Sequence, residues 1–457
     1  MLRSRTSLVA LCAVVVFSAF LSSGAAASVA EAPAFSMSWG SAGSDPGAFD
    51  GAAGLALDQA GSVYVADSLN DRVEVFDADG VFLRQWGAPG TGDGQFDELY
   101  GIAVDGSDNV YVTDYRNARV EKFDTSGNFV TSWGTLGKEP GQFTNPEAIT
   151  TDPDGNVYVA DTGNFRVQEF DADGNYLMSF GSRGTGPGQL RHPEGLAIDA
   201  AGNLYVTDPG NFRVQEFDAA GSFIRMWGTQ GTAPGQFARP LEGLALDGLG
   251  NVYVTDTTND RVEKFDPVGN FLASWGMTGS ADGEFDFPYG IAITPDGDIY
   301  VSELANDRIQ RFAQIRRPDA LIRRSGAGIP FAGDGVYNET AAGQTRSRSV
   351  TPGERSLFLV EVQNDGSFLD GVGLQGCAST SAFHVGYRNG ATPVTGAVVG
   401  GTYQTAVVAP GDAGTIKVVI TAAPDAAAGA ALRCAISASS SADPSKVDVV
   451  AVRLTVA

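Results

Sequence analysis

Gly94-Gln95-Phe96, Gly101-Ile102-Ala103-Val104-Asp105, Asn109-Val110-Tyr111-Val112-Thr113-Asp114, Arg119-Val120-Glu121-Lys122-Phe123-Asp124 and Asn128-Phe129-Val130-Thr131-Ser132-Trp133-Gly134 follow one another within residues 94–134. Four short apolar runs alternate there with Asp, Gly and Asn turns, the pattern of four strands joined by hairpins. The stretch recurs. Its Tyr-Val or equivalent pair begins at Tyr64, Tyr111, Tyr158, Tyr205, Tyr253 and Tyr300, at spacings of 47, 47, 47, 48 and 47 residues. A four-stranded sheet of this kind standing alone would expose apolar faces. Copies stacked on either side bury them, so the period predicts a repeat architecture.

Counting strands separates a ring from an open solenoid. The fourth run of each copy carries Trp39, Trp86, Trp133, Phe180, Trp227 or Trp275, which accounts for all five tryptophans of the chain. The first of these runs, Phe35 to Trp39, precedes any first strand, and the sixth copy, ending near Phe312, has no fourth run after it. If the N-terminal strand completes the last sheet, the circle closes without an exposed edge. The expected fold is all-β: a six-bladed β-propeller over residues 31–317, closed by its N-terminal strand.

Six copies of the Asn-Val-Tyr-Val-Thr/Ala-Asp theme followed by Asn and Arg resemble NHL repeats, and the resemblance covers about residues 35–315. It implies six blades around a central channel. It implies little about chemistry, since the fold hosts binding modules, sensors and a few lyases. A lyase of the amidating kind would need a histidine-built zinc site, and this region has a single histidine, His192, expected at the rim. A carboxylate-held Ca²⁺ hydrolase or lyase is the enzymatic alternative, and a purely structural surface protein the third reading.

What recurs in every copy is read as scaffold. Asp67, Asp114, Asp161, Asp208 and Asp256, with Glu303 in the last copy, close the second strand; an Asn follows three positions on and an Arg five positions on. Across a hairpin, that spacing brings carboxylate and guanidinium together and leaves the Asn for loop backbone groups. Runs such as Asp152-Pro153-Asp154-Gly155-Asn156 and Asp171-Ala172-Asp173-Gly174-Asn175 lack the later Glu of a calcium loop and are read as hairpin turns.

Function is sought where the copies differ. The residue just ahead of the small residue that opens each first strand is Ala53, Tyr100, Glu147, Glu194, Glu242 or Tyr289, and this position is expected at the channel mouth. Blade packing does not dictate three consecutive glutamates flanked by tyrosines. The fifth copy carries an extra residue here, Leu241, read as a bulge. Loops between the second and third strands are expected on the same face, offering Tyr115, Arg116, Leu69, Thr257, Thr258 and Leu304. The expected ligand site is therefore Tyr100, Glu147, Glu194, Glu242, Tyr289, Tyr115 and Arg116, with Glu147, Glu194 and Glu242 as candidate Ca²⁺ ligands. The competing reading is a solvated acidic rim.

Charge supports a binding role over nucleic-acid recognition. Residues 31–312 carry 43 Asp+Glu against 16 Lys+Arg, while residues 313–457 carry 11 against 12. An acidic surface of that kind repels phosphate backbones and leaves protein, peptide or glycan ligands and cations as partners. At the N-terminus, Arg3 and Arg5 precede an apolar run from Leu8 to Leu21 and the small residues Ala25-Ala26-Ala27, which reads as a signal peptide over residues 1–30. Export, with no membrane span in the mature chain and a monomer at the surface or in the medium, is the expectation. An oxidising compartment then makes Cys377 and Cys434 a disulfide.

Past Phe312 the period stops and Arg316-Arg317-Pro318 reads as a linker. Residues 318–457 hold alternating runs at Ser356–Val362, Ala406–Val408, Thr415–Ile420 and Val447–Val452 and no helical period. A β-sandwich is expected. Val360-Glu361-Val362-Gln363-Asn364-Asp365-Gly366 resembles Ig-like domains of bacterial surface proteins, which implies a spacing or attachment module. The whole is read as an extracellular binding or sensing scaffold.

Overall fold

The computed structural model describes residues 32–238, 242–295, 297–313, 318–324, 345–364, 371–405, 413–440 and 447–457. The signal segment, Leu241, Arg316-Arg317, Ala406–Val408 and Asp365-Gly366 lie outside these residues.

Between Ala34 and Ala313 the described residues form six four-stranded antiparallel sheets. Five are built from consecutive strands. In the sixth, Ala34–Trp39 pairs with Arg308–Ala313, from Ala34↔Ala313 to Trp39↔Ile309, so residues from opposite ends of the region share one sheet. The second strand of each, for example Val63–Asp67 or Val110–Asp114, is buried along its whole length. Each holds one Tyr among mostly aliphatic, largely β-branched residues, because these strands face a neighbouring sheet on both sides. The first strands lie side by side: Ala52–Leu57 against Leu99–Val104, then Pro146–Thr151, Leu196–Ile198, Leu244–Leu246 and Pro288–Ile293, which returns to Ala52–Leu57.

Neighbouring sheets are locked by an aromatic on a glycine. Gly80, in the turn before the fourth strand of the first sheet, has φ +74° and no room for a Cβ, which would sit 2.7 Å from the Trp39 ring. Gly127, Gly174 and Gly269 take Trp86, Trp133 and Trp227 in the same way, and Gly221 takes Phe180. The preference for Trp at this position is thus an inter-sheet contact, with the indole of one sheet lying over the turn of the next.

The repeated polar residues behave as the spacing predicts. Arg72 Nε donates to Asp67 Oδ2 at 2.7 Å, Arg166 to Asp161 at 2.7 Å and Arg213 to Asp208 at 2.9 Å. Asn70 Nδ2 donates to Asp67 Oδ2 and to the Gly43 carbonyl, fixing the loop. Burial pushes the Asp67, Asp114, Asp161, Asp208 and Asp256 carboxyls up, and hydrogen bonds from backbone, Asn and Arg oppose that push. Asp152 and Asp171 accept N–H groups of their own turns, as do their counterparts, so these runs are turn chemistry.

The C-terminal residues form two five-stranded sheets. One is ordered Pro318–Arg324, Arg355–Asn364, Ala413–Ala422, Phe383–Asn389 and Thr392–Pro393; the other Thr345–Val350, Val447–Val456, Ala431–Ser440, Val372–Gly376 and Tyr403–Gln404. Alternate residues of both sheets, among them Phe358, Val360, Tyr387, Val418, Ile436 and Val452, enter one apolar core. Two features carry no signal in the sequence. Thr345–Val350 runs parallel to Val447–Val456. A helical turn, Thr395–Val399, tucks Val398 into the core, too short to leave a helical period in the sequence. Cys377 and Cys434 are joined by a disulfide, with the Tyr387 hydroxyl donating to the Cys377 carbonyl at 3.1 Å.

Candidate functional site

The first strands place one small residue, Gly54, Gly101, Ala148, Gly195, Gly243 or Gly290, at their closest approach. A Cβ at Gly101 would lie 2.2 Å from the Glu147 carbonyl oxygen, and one at Gly243 2.3 Å from that of Tyr289. Glycine therefore lets the backbone that carries each channel residue rest directly on the preceding sheet. A hydroxyl cements several of these contacts. Thr113 Oγ1 accepts from Gly101 N–H at 2.8 Å and donates to Glu147 O at 2.6 Å. Thr255 links Gly243 to Tyr289 O, and Ser302 links Gly290 to Ala53 O. The repeated theme has Thr, Ala or Ser at this position. Its signal lies in the copies that keep a hydroxyl, Thr113, Thr207, Thr255 and Ser302, against Ala66 and Ala160.

These backbones aim Tyr100, Glu147, Glu194, Glu242 and Tyr289 into one cavity of about 70 Å³, floored by Leu55, Ile102, Ile149, Leu196, Leu244 and Ile291. One carboxylate oxygen from each of Glu147, Glu194 and Glu242 lies within 4.8 Å of the others. Glu194 is buried, whereas the other two are half-buried. Thr162 Oγ1 donates to the Pro193 carbonyl at 2.6 Å and lies 3.4 Å from Glu147 Oε2, tying the first glutamate to the loop that bears the second.

Opposite them, the Tyr100 and Tyr289 rings stack at 5.8 Å with an interplanar angle of 23°. Burial, then Glu98, Tyr115 and Glu147, pushes the Tyr100 phenol up to about 12. Burial followed by the charges of Glu242 and Glu147 holds the Tyr289 phenol well above its ordinary value. Both phenols stay protonated at neutral pH and remain hydrogen-bond donors.

Two predicted members stand outside the cavity. Tyr115 packs edge-on against Tyr100 at 5.1 Å and meets Asn145, so it buttresses the wall. Arg116 is turned away: its guanidinium bonds Glu98 Oε1 at 2.5 Å and lies 3.7 Å from Asp97, more than half exposed. The reason is local, because two acids of the preceding loop capture it before it can reach the axis. Ala53 is buried behind the wall. Leu69 and Leu304 meet over Gly51, and Thr257 donates to the Pro288 carbonyl. His192 packs its ring on Phe165 at 5.5 Å, beside the loop leading to Glu194.

Carboxylate oxygens, phenolic hydroxyls and aromatic faces are what this cavity offers. That set complements a cation or a basic group. A space of about 70 Å³ holds an ion with its waters or the end of one side chain, well short of the several hundred Å³ of a drug-sized pocket.

A family model for the NHL repeat matches residues 143–170 and 190–217, and a model described as a 6-bladed beta-propeller matches residues 55–131. No curated protein matches the chain. Among solved structures, a streptogramin B lyase is similar at 14% identity and TM-score 0.44, covering 57% of this chain and 93% of its own. Virginiamycin B lyase from Staphylococcus aureus is similar at 13% identity and TM-score 0.43, covering 58% and 96%. The WD40 propeller domain of Doa1 is similar at 13% identity and TM-score 0.41, covering 62% and 97%. The matched repeats and the four-stranded sheets together establish that this chain carries NHL repeats in a β-propeller.

Proposed function

We propose that the chain is an exported binding scaffold: a closed six-bladed propeller whose channel mouth receives a cationic group, carried on an Ig-like sandwich. The convergence of Glu147, Glu194 and Glu242 on one cavity, within 4.8 Å of one another and lined also by a stacked tyrosine pair, carries the reading. Three like charges so close repel, and a bound cation relieves that repulsion. Either Ca²⁺, completed by water to its six to eight oxygens, or the ammonium or guanidinium of a protein or peptide ligand meets the requirement. The acidic excess of residues 31–312 favours cations from a distance and speeds their encounter. The six acid–arginine pairs, five with Asp and one with Glu303, serve the sheets themselves, which leaves the non-repeating glutamate cluster for recognition.

Thermal-shift titration with CaCl₂, and separately with short Lys- or Arg-containing peptides, tests the proposal. A saturable rise in melting temperature that Glu194→Gln abolishes supports it. An absence of shift with every probe would sink it and leave a solvated rim.

A further inference from the structure

Two residues past its arginine, the third strand of each sheet carries Glu74, Glu121, Gln168, Gln215, Glu263 or Gln310. All six are fully buried. A side-chain oxygen of each accepts the N–H of a loop glycine, from Gly47 in the first sheet to Gly283 in the last, and at Glu74 both oxygens share the Gly47 N–H, at 3.2 and 3.1 Å. The second terminal atom divides the set. Gln168 Nε2 donates to Gln142 O at 2.8 Å and to Asp161 Oδ2 at 3.1 Å. Gln215 Nε2 donates to Gln189 O and Asp208 Oδ2, and Gln310 Nε2 to Glu284 O and Glu303 Oε1. In three sheets, then, a hydrogen is supplied to a carbonyl and to a buried carboxylate.

An ionised glutamate at the same place has no hydrogen to give. The arginine does not make up the difference. Arg119 spends Nε on Asp114, Nη1 on Thr91 O, and Nη2 on both Gly92 O and Gln95 O. Its Nη2 lies 2.9 Å from Glu121 Oε1, yet that oxygen is buried without a hydrogen bond. Arg261 is committed in the same way, to Asp256, Thr232 O, Ala233 O and Gln236 O, and Glu263 Oε2 is likewise left without a hydrogen bond. Arg72 is committed to Asp67, Ser44 O, Asp45 O and Ala48 O.

We propose that Glu74, Glu121 and Glu263 hold protons in the folded protein at mildly acidic pH, each donating as the glutamine amides do in the sibling sheets, and that ionisation toward neutral pH loosens their sheets. One guanidinium cannot neutralise two buried carboxylates, and a proton on the glutamate restores the balance. Burial, opposed by the adjacent arginine, raises all three carboxyls to about 7. The charged groups facing them are Arg72 and Asp67 for Glu74, Arg119, Asp114 and Asp93 for Glu121, and Arg261 and Asp256 for Glu263. Each group's folded value lies above its unfolded value of about 4.3. Its stabilising contribution is therefore complete below about pH 4.3, declines as pH rises, and is gone above about 7. Within that window each glutamate lowers the folding constant about tenfold per pH unit.

The test uses the full chain and tryptophan fluorescence, which reports this region alone because all five tryptophans lie between Trp39 and Trp275. Folding constants from urea unfolding are compared across pH 5 to 8. The triple substitution E74Q/E121Q/E263Q installs the residue the sibling sheets already accommodate and should flatten the profile between about pH 5 and 7 by about three decades per pH unit, with each single change removing about one. A control of equal charge on exposed sites, D79N/D154N/D173N, should leave the slope in place. The proposal is overturned if the triple variant keeps the parent slope or if the control flattens it equally.

Discussion

Replacing Trp39 by Ala asks whether the N-terminal strand bears load in the ring. Trp39 ends the strand Ala34–Trp39 and packs its indole on Phe76 and Tyr300, each at 5.9 Å, and over Gly80. Phe76 and Gly80 belong to the first sheet and Tyr300 to the sixth, so this one ring joins sheets formed by opposite ends of the region. Trp86 and Trp133 occupy the same position between consecutive sheets, over Gly127 and Gly174. Truncating a large buried aromatic costs about 3–5 kcal/mol, and a half-buried indole falls near the lower end. All three Trp→Ala variants should thus lose about 3 kcal/mol each, measured by urea unfolding followed by circular dichroism. Matching losses mean that the closing contact is as integral as the internal ones. If Trp39→Ala loses under about 1 kcal/mol while Trp86→Ala loses the full amount, the strand is peripheral and the ring argument fails.

Converting Cys377 and Cys434 to Ser opens a crosslink between residues 57 apart and should cost about 4 kcal/mol on the chain-entropy model. Unfolding of the C-terminal region should then shift while tryptophan fluorescence, confined to residues 39–275, does not. Asp161→Ala removes a fully buried carboxylate, leaves the partly buried Arg166 guanidinium without it, and should cost about 3 kcal/mol, far more than the turn substitution Asp154→Ala, which removes an exposed side chain. Equal melting of those two variants would mean that the acid–arginine pair is not structural.

Much of the fold was legible because the sheet is written six times. Repetition turns weak local signals, such as a Tyr-Val pair or an Asp-Gly turn, into a count, and the missing fourth strand after Phe312 pointed to Ala34–Trp39 as its replacement. The candidate site was legible by the opposite logic, since five of the positions that vary among copies do line the cavity. Arg116 was misplaced because sequence spacing gives the loop a side chain is on, not which of the neighbouring acids claims it. The Thr113 bridge escaped notice because its partner, the Glu147 carbonyl, belongs to the next copy and carries no side-chain signature. In the C-terminal region the strands are not repeated, so the parallel pairing of Thr345–Val350 with the last strand had no pattern to announce it.

The claim that the channel mouth recognises a cation is met most directly by calorimetric titration of Ca²⁺ and of a lysine-containing peptide into metal-free protein, run in parallel on the Glu147→Gln/Glu194→Gln/Glu242→Gln variant. The account predicts a saturable heat for at least one of these in the parent, weakened by added salt and absent from the variant, whose unfolding transition is otherwise intact. Absence of heat from the parent with both, or the same isotherm in parent and variant, would contradict it.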